Sequence, residues 1–149
     1  MNKLNPRPVV RALVTRRLVA PATEVFDAWL NRERLGRWMF GPAVRDEEIV
    51  HLSLNPHVGG AFSYSVEREG AVVEHVGKFL ELARPHRLAF TWIVTSETAG
   101  SRVQVDIVDR GDECELTLTQ EIHPSWAEAI SAIEEEWQLR FDQLAVVVE

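Results

Sequence analysis

The sequence predicts one α+β domain of two layers, a curved antiparallel sheet gripping a long C-terminal helix, with two short helices after the first strand. Two patterns and one absence carry that expectation. Between Val44 and Glu121 apolar residues alternate with period two, and turn signals recur at Asn55-Pro56, Gly59-Gly60, Glu69-Gly70, Pro85-His86, Ala99-Gly100 and Gly111-Asp112. After Pro124, apolar residues at Trp126, Ile130, Ile133, Trp137, Phe141, Leu144 and Val148 follow steps of three and four, the spacing of one helical face. No repeat, low-complexity tract or linker divides residues 1–149, so a single domain is expected.

Composition bounds the function. The 149 residues are 46% hydrophobic and 26% charged, the balance of a globular chain with one sizeable core. A net charge of -7 repels phosphate backbones and argues against a nucleic-acid partner. The single Cys114 forms no internal disulfide, and residues 1–20 hold no apolar signal-peptide core, so a reducing cytoplasm is the expected compartment. No apolar run approaches the ~20 residues of a membrane span.

The elements follow in order. Pro6 and Pro8 mark a loose lead into a first strand from Val9 to Val19, which Pro21 stops. Thr23 is placed to cap a helix whose Val25, Phe26, Trp29 and Leu30 share one face, and Asn31 to cap a second over Arg32 to Trp38, ended by Gly41-Pro42. Six strands are expected at Val44 to Leu54, Ala61 to Arg68, Val72 to Leu82, Arg87 to Thr95, Arg102 to Asp109 and Cys114 to Glu121. Short loops make them an antiparallel meander with one face on the core. Phe62, Tyr64 and Val66 share the inner face, as do Leu88, Phe90, Trp92 and Val94, then Val103, Val105 and Ile107, then Leu116, Leu118 and Gln120. In the strand from Val72, His75, Gly77 and Phe79 point one way but Leu80 and Leu82 the other, which leaves open a bulge or a partly buried back face. Ser125 is placed to cap the last helix, whose other face carries Glu128, Glu134, Glu135 and Asp142.

The apolar candidates for the wall of a ligand cavity are Trp38, Phe40, Phe62, Tyr64, Phe79, Phe90, Trp92, Ile133, Trp137 and Phe141, with plain core packing the competing role for each. Tyr64, His75 and Gln120 bring polar groups to the same inner face, where their polar atoms need partners that a ligand or water can supply. If Trp137 borders a hollow it has fewer contacts to lose, and Trp137→Ala is expected to cost less than ~3 kcal/mol. No carboxylate stands at a recognisable spacing to orient His75 for acid-base work, so no catalytic residue is assigned. His51, His57, His86 and His123 lack the paired spacing of a metal site, and neither a metal nor an organic cofactor is expected. Val58-Gly59-Gly60 leads into a strand and reads as a turn, not a phosphate loop. Cys114 reads as packing. Asp46-Glu47-Glu48 and Glu134-Glu135-Glu136 read as solvated runs, with Glu136, beside Trp137, the one carboxylate in reach of a cavity rim.

Several strings in this order resemble the activator-of-Hsp90-ATPase-like branch of the START-like, or helix-grip, superfamily. They are Ala20-Pro21-Ala22 before VFDAWLNRERLGRW, Gly41-Pro42, Gly59-Gly60, GKFLELARPHRLAFTW from Gly77, ELTLTQE from Glu115, and Glu136-Trp137. Trp38-Met39-Phe40 and Gln120 depart from the usual pattern. The resemblance implies a helix-grip fold with a hollow between the long helix and the sheet, where relatives hold lipids, hormones or polyketides. A small hydrophobic, aromatic or lipid-like molecule is therefore the expected partner. A chaperone is the alternative partner, weakened because 149 residues leave no room for the separate N-terminal domain of the eukaryotic activator. A cofactor-independent polyketide-cyclase-like enzyme is a third reading, and a homodimer is compatible with all three.

Overall fold

The computed structural model describes residues 9–94 and 100–149. The lead at Pro6 and Pro8, the strand end at Thr95 and the turn residue Ala99 lie outside the described residues. Seven strands form one antiparallel sheet: β1 (Val10–Leu18), β2 (Glu48–Leu54), β3 (Ala61–Arg68), β4 (Ala71–Ala83), β5 (Arg87–Val94), β6 (Ser101–Arg110) and β7 (Glu113–Ile122). Their order is β1-β7-β6-β5-β4-β3-β2, so β2 to β7 are the expected meander and β1 closes beside β7, with Val10 opposite Ile122 and Leu18 opposite Cys114. Helices α1 (Ala22–Ala28) and α2 (Arg32–Trp38) follow β1, and α3 (Ile130–Val148) lies across the concave face. No described helix is long and apolar enough to cross a membrane.

The inner face is the one the alternation marked. Phe62, Tyr64, Val66, Leu88, Phe90, Trp92, Val103, Val105, Ile107, Leu116, Leu118 and Gln120 are buried, and the rings of Trp92 and Trp137 lie 5.7 Å apart across the two layers. In β4 the strand bulges, so His75 and Phe79 from one set and Leu82 from the other all reach the core side. Phe79 pairs with Phe90 and Glu81 with Ala89, which leaves Leu80 as the extra, exposed residue and returns Leu82 to the core side. Gly77 lets the strands close here: a Cβ at this position would lie 2.0 Å from the Thr91 carbonyl oxygen and 2.6 Å from the Phe62 ring. Cys114 is buried in the core, as a packing residue is.

Four local expectations are corrected. Thr23 does not cap α1; Pro21 occupies the N-cap at φ -64° and its carbonyl accepts from Glu24 N–H and Val25 N–H, so a ring already fixed near helical φ starts the turn. Asn31 does cap α2, its Oδ1 accepting from Arg34 N–H at 2.9 Å. Ser125 does not cap α3; His123 Nδ1 accepts its N–H at 3.1 Å and starts a 3₁₀ stretch, Pro124–Ala129, in which Trp126 leaves the helical stripe and is 37% exposed. The strand expected from Val44 begins only at Glu48. A turn beginning at Gly41, at φ 107°, with Val44 N–H on its carbonyl, carries the chain round and points Glu47 into the protein, so of the acidic run 46–48 only Asp46 and Glu48 are solvated.

Candidate functional site

Helix α3 brings the site together. Ile133, Glu136, Trp137 and Arg140 stand at i, i+3, i+4 and i+7 and so share the face turned to the sheet. Opposite them stand His75 from β4, Trp92 and Val94 from β5, Gln120 from β7 and Arg68 from the end of β3. Arg68 is set there by its hairpin, whose central residues Glu69 and Gly70 both have positive φ, 50° and 81°, as a two-residue turn of strand-matching twist requires. These nine side chains line a cleft of about 120 Å³.

The charges in and beside the cleft are the strongest feature of the site. Arg140 is 3% exposed, and its Nε donates to the Met39 carbonyl at 3.0 Å. Its guanidinium carbon lies 4.7 Å from the centre of the Trp137 ring, 5.4 Å from Phe40 and 5.8 Å from Trp92, so three aromatic rings hold a cation. Burial lowers its pKa to about 10, against the pull of Glu136 and Glu47, and it stays charged at neutral pH. Glu47, its side chain 1% exposed, accepts from Arg68 Nε at 2.8 Å and from Gly41 N–H at 2.8 Å, with Arg45 Nε at 3.8 Å. Glu136 accepts from Arg45 Nη2 at 2.7 Å. Arg68 Nη2 and Arg45 Nε are buried without a hydrogen-bond acceptor among the described residues.

Gln120 and His75 reach the cleft already partnered. Trp137 Nε1 donates to Gln120 Oε1 at 2.8 Å, Gln120 Nε2 to Ser101 Oγ at 2.9 Å, and Ser101 Oγ to the Trp92 carbonyl at 3.2 Å, so a relay inside the protein supplies the partners expected of a ligand. His75 Nδ1 lies 3.2 Å from the Tyr64 carbonyl, which only accepts, so this nitrogen carries the proton and Nε2 the lone pair. Burial first, then the Arg140 charge, pull the His75 pKa down to about 3. The folded protein therefore keeps the ring neutral, while the unfolded chain protonates it near ~6.5. A depressed folded value for a base means that stability is intact above ~6.5 and falls as pH drops below it, by up to about 1.4 kcal/mol per pH unit, until the folded value is reached. The His75 ring signals should not titrate between pH 8 and 5 in an NMR series, and His75→Gln should flatten the loss of stability over that range. A His75 midpoint near ~6.5 would contradict this environment.

Among the other candidates, Phe62, Tyr64, Phe79, Phe90 and Trp92 surround, with Trp29 and Met39, a gap of only about 10 Å³, at the lower limit for one water. The space under this part of the sheet is filled. Trp38 is fully buried, its Nε1 donating to the Ala28 carbonyl at 3.0 Å and its ring 4.7 Å from Trp29. Phe40 packs at 4.9 Å on His75, and Phe141 at 5.9 Å on Trp137. Of the candidates named from sequence, His75, Trp92, Gln120, Ile133 and Trp137 meet at the cleft, and Glu136 reaches it as expected. Arg68, Arg140, Val94 and the buried carboxylate Glu47 were not among them. Arg140 had a visible cue, since it stands three residues after Trp137 on the apolar face. Among the described residues no group of three or more His, Cys, Asp or Glu is arranged to hold a metal.

A family model described as Activator of Hsp90 ATPase homolog 1-like protein matches residues 19–149. The chain belongs to this family. Solved structures agree on the fold of this Hsp90-activator-like domain. Protein CV1439 from Chromobacterium violaceum superposes with a TM-score of 0.82 at 24% identity, over 95% of this chain and 99% of that one. A Rhodobacter sphaeroides protein gives 0.82 at 21% identity, over 96% and 94%. CalU16 from Micromonospora echinospora gives 0.70 at 20% identity, over 95% and 77%. No curated protein matches the chain significantly. The family and the helix-grip architecture support a ligand-binding domain in general.

Proposed function

We propose that the chain binds a small organic molecule in the cleft between α3 and the inner face of β3 to β7, and that the ligand is compact instead of lipid-sized. The observation that carries this reading is the cleft itself. Trp92, Val94, Ile133 and Trp137 give it apolar walls, and Arg68 and Arg140 give it fixed donors, the combination that orients small ligands. Its volume, about 120 Å³, is close to the ~150 Å³ of a cavity that accepts one benzene, so a single ring or a short chain fits. A longer occupant needs Trp92 to move, because that ring also closes off the filled aromatic gap behind it. The chaperone reading rests on the family description alone, whereas the ligand reading also has this local support.

Titration with one-ring probes such as phenylacetate and phenylacetamide tests the proposal. The indole N–H signals of Trp92 and Trp137 should shift in NMR spectra, while residues on the outer face, such as Leu13 and Val108, stay still. No shift with any one-ring probe at millimolar concentration would remove the cleft as a ligand site.

A further inference from the structure

We infer that the ligand of this cleft is an acid, a compact apolar body carrying one carboxylate that docks on Arg140 and Arg68. The inference rests on the cleft being the binding site and adds the class of molecule. Three guanidiniums, Arg45, Arg68 and Arg140, share the cluster with two carboxylates, Glu47 and Glu136. One positive charge is left over in a cluster whose Arg140 and Glu47 are buried and whose Arg45, Arg68 and Glu136 are partly exposed, and an anion gains most beside the buried Arg140.

The hydrogen bonds point the same way. Glu47 is engaged by Arg68 Nε and Gly41 N–H, and Glu136 by Arg45. Among the described residues Arg68 Nη2 has no acceptor, and the one protein acceptor found for Arg140 is Met39 O, on Nε. Both arginines line the cleft; Arg68 Nη2 is itself covered by protein atoms and meets a ligand only when its side chain turns, so the terminal nitrogens of Arg140 are the first donors an anion reaches. The rings of Phe40, Trp92 and Trp137 fix the Arg140 plane, and a guanidinium held in that way is set up for the paired bonds a carboxylate accepts. An amide or alcohol gains less here, because the Gln120 amide and His75 Nδ1 already have partners. A dianion is disfavoured by Glu136, which lines the same cleft and would face the second charge.

Phenylacetate and phenylacetamide differ in charge at nearly equal size, and the full chain titrated with each decides the matter. Phenylacetate should bind at least about tenfold more tightly, the order expected when a hydrogen-bonded acceptor becomes ionised. Its binding should move the Arg140 Nε–H signal together with the Trp137 indole. In Arg140→Met the acid preference should shrink to about twofold while phenylacetamide still binds; if that variant does not fold, the ratio in the unmutated protein decides alone. Equal affinities for the two probes would overturn the acid inference and leave the cleft as the binding site. Failure of both probes to bind would remove both conclusions, and phenylacetate shifts confined to residues outside the cleft would do the same.

Discussion

Trp137→Ala should lower the unfolding free energy by about 3–5 kcal/mol, the range for a buried aromatic that leaves a cavity. The sequence alone favoured less than ~3 kcal/mol, on the expectation that this ring borders an open hollow. Trp137 does line the cleft, but the rest of its ring is packed. Trp137 packs at 5.7 to 6.0 Å on Trp29, Trp92 and Phe141, and Arg140 lies over its face at 4.7 Å. Truncation loses those contacts and also strips Gln120 Oε1 of its donor. Trp137→Phe separates the two contributions: it keeps most of the ring packing and should cost about 1–2 kcal/mol, chiefly the buried hydrogen bond. Urea unfolding of both variants is the measurement. A loss below about 2 kcal/mol for Trp137→Ala would mean that the ring is not packed between the layers.

The fold was legible because its signals are periodic and redundant. Six strands repeat one alternation and α3 repeats one stripe, so a local slip such as the bulge at Leu80 does not change the face of Phe90, Trp92 or Leu118. The caps were less legible. Thr23 and Ser125 are favoured capping residues, but Pro21 and His123 each stand two positions earlier and make the first bonds. The site was half legible, and the missing half is its charge. An arginine in a helix and an acidic residue in the run 46–48 both look solvated in one dimension. Only the turn that begins at Gly41 brings Glu47 inside, and only the packing of α3 over Met39 covers Arg140. Burial of a charge depends on partners remote in sequence, such as Met39, 101 positions before Arg140, and no local pattern encodes them.

Glu47→Ala should destabilise the protein by about 3–5 kcal/mol, because it removes one side of a buried ion pair and leaves the other side charged. Its carboxylate is the sole acceptor for Arg68 Nε among the described residues and also satisfies Gly41 N–H, which starts the turn into β2. Without it, Arg45, Arg68 and Arg140 face one another with Glu136 as the remaining counter-charge in the cleft. Glu136 has a side chain 43% exposed, and Glu136→Ala should cost at most about 1 kcal/mol, as half-solvated pairs do. The contrast between two carboxylates of one cluster is therefore the informative result. Combining Glu47→Ala with Arg68→Met should recover part of the loss, since the second change removes the cation that the first left unpaired. Added phenylacetate should raise the melting temperature of Glu47→Ala more than that of the unmutated protein, because the vacated corner holds an even larger surplus of positive charge. Equal small losses for Glu47→Ala and Glu136→Ala would show that water reaches both carboxylates alike, and the buried charge cluster would then be no part of how this domain is held together.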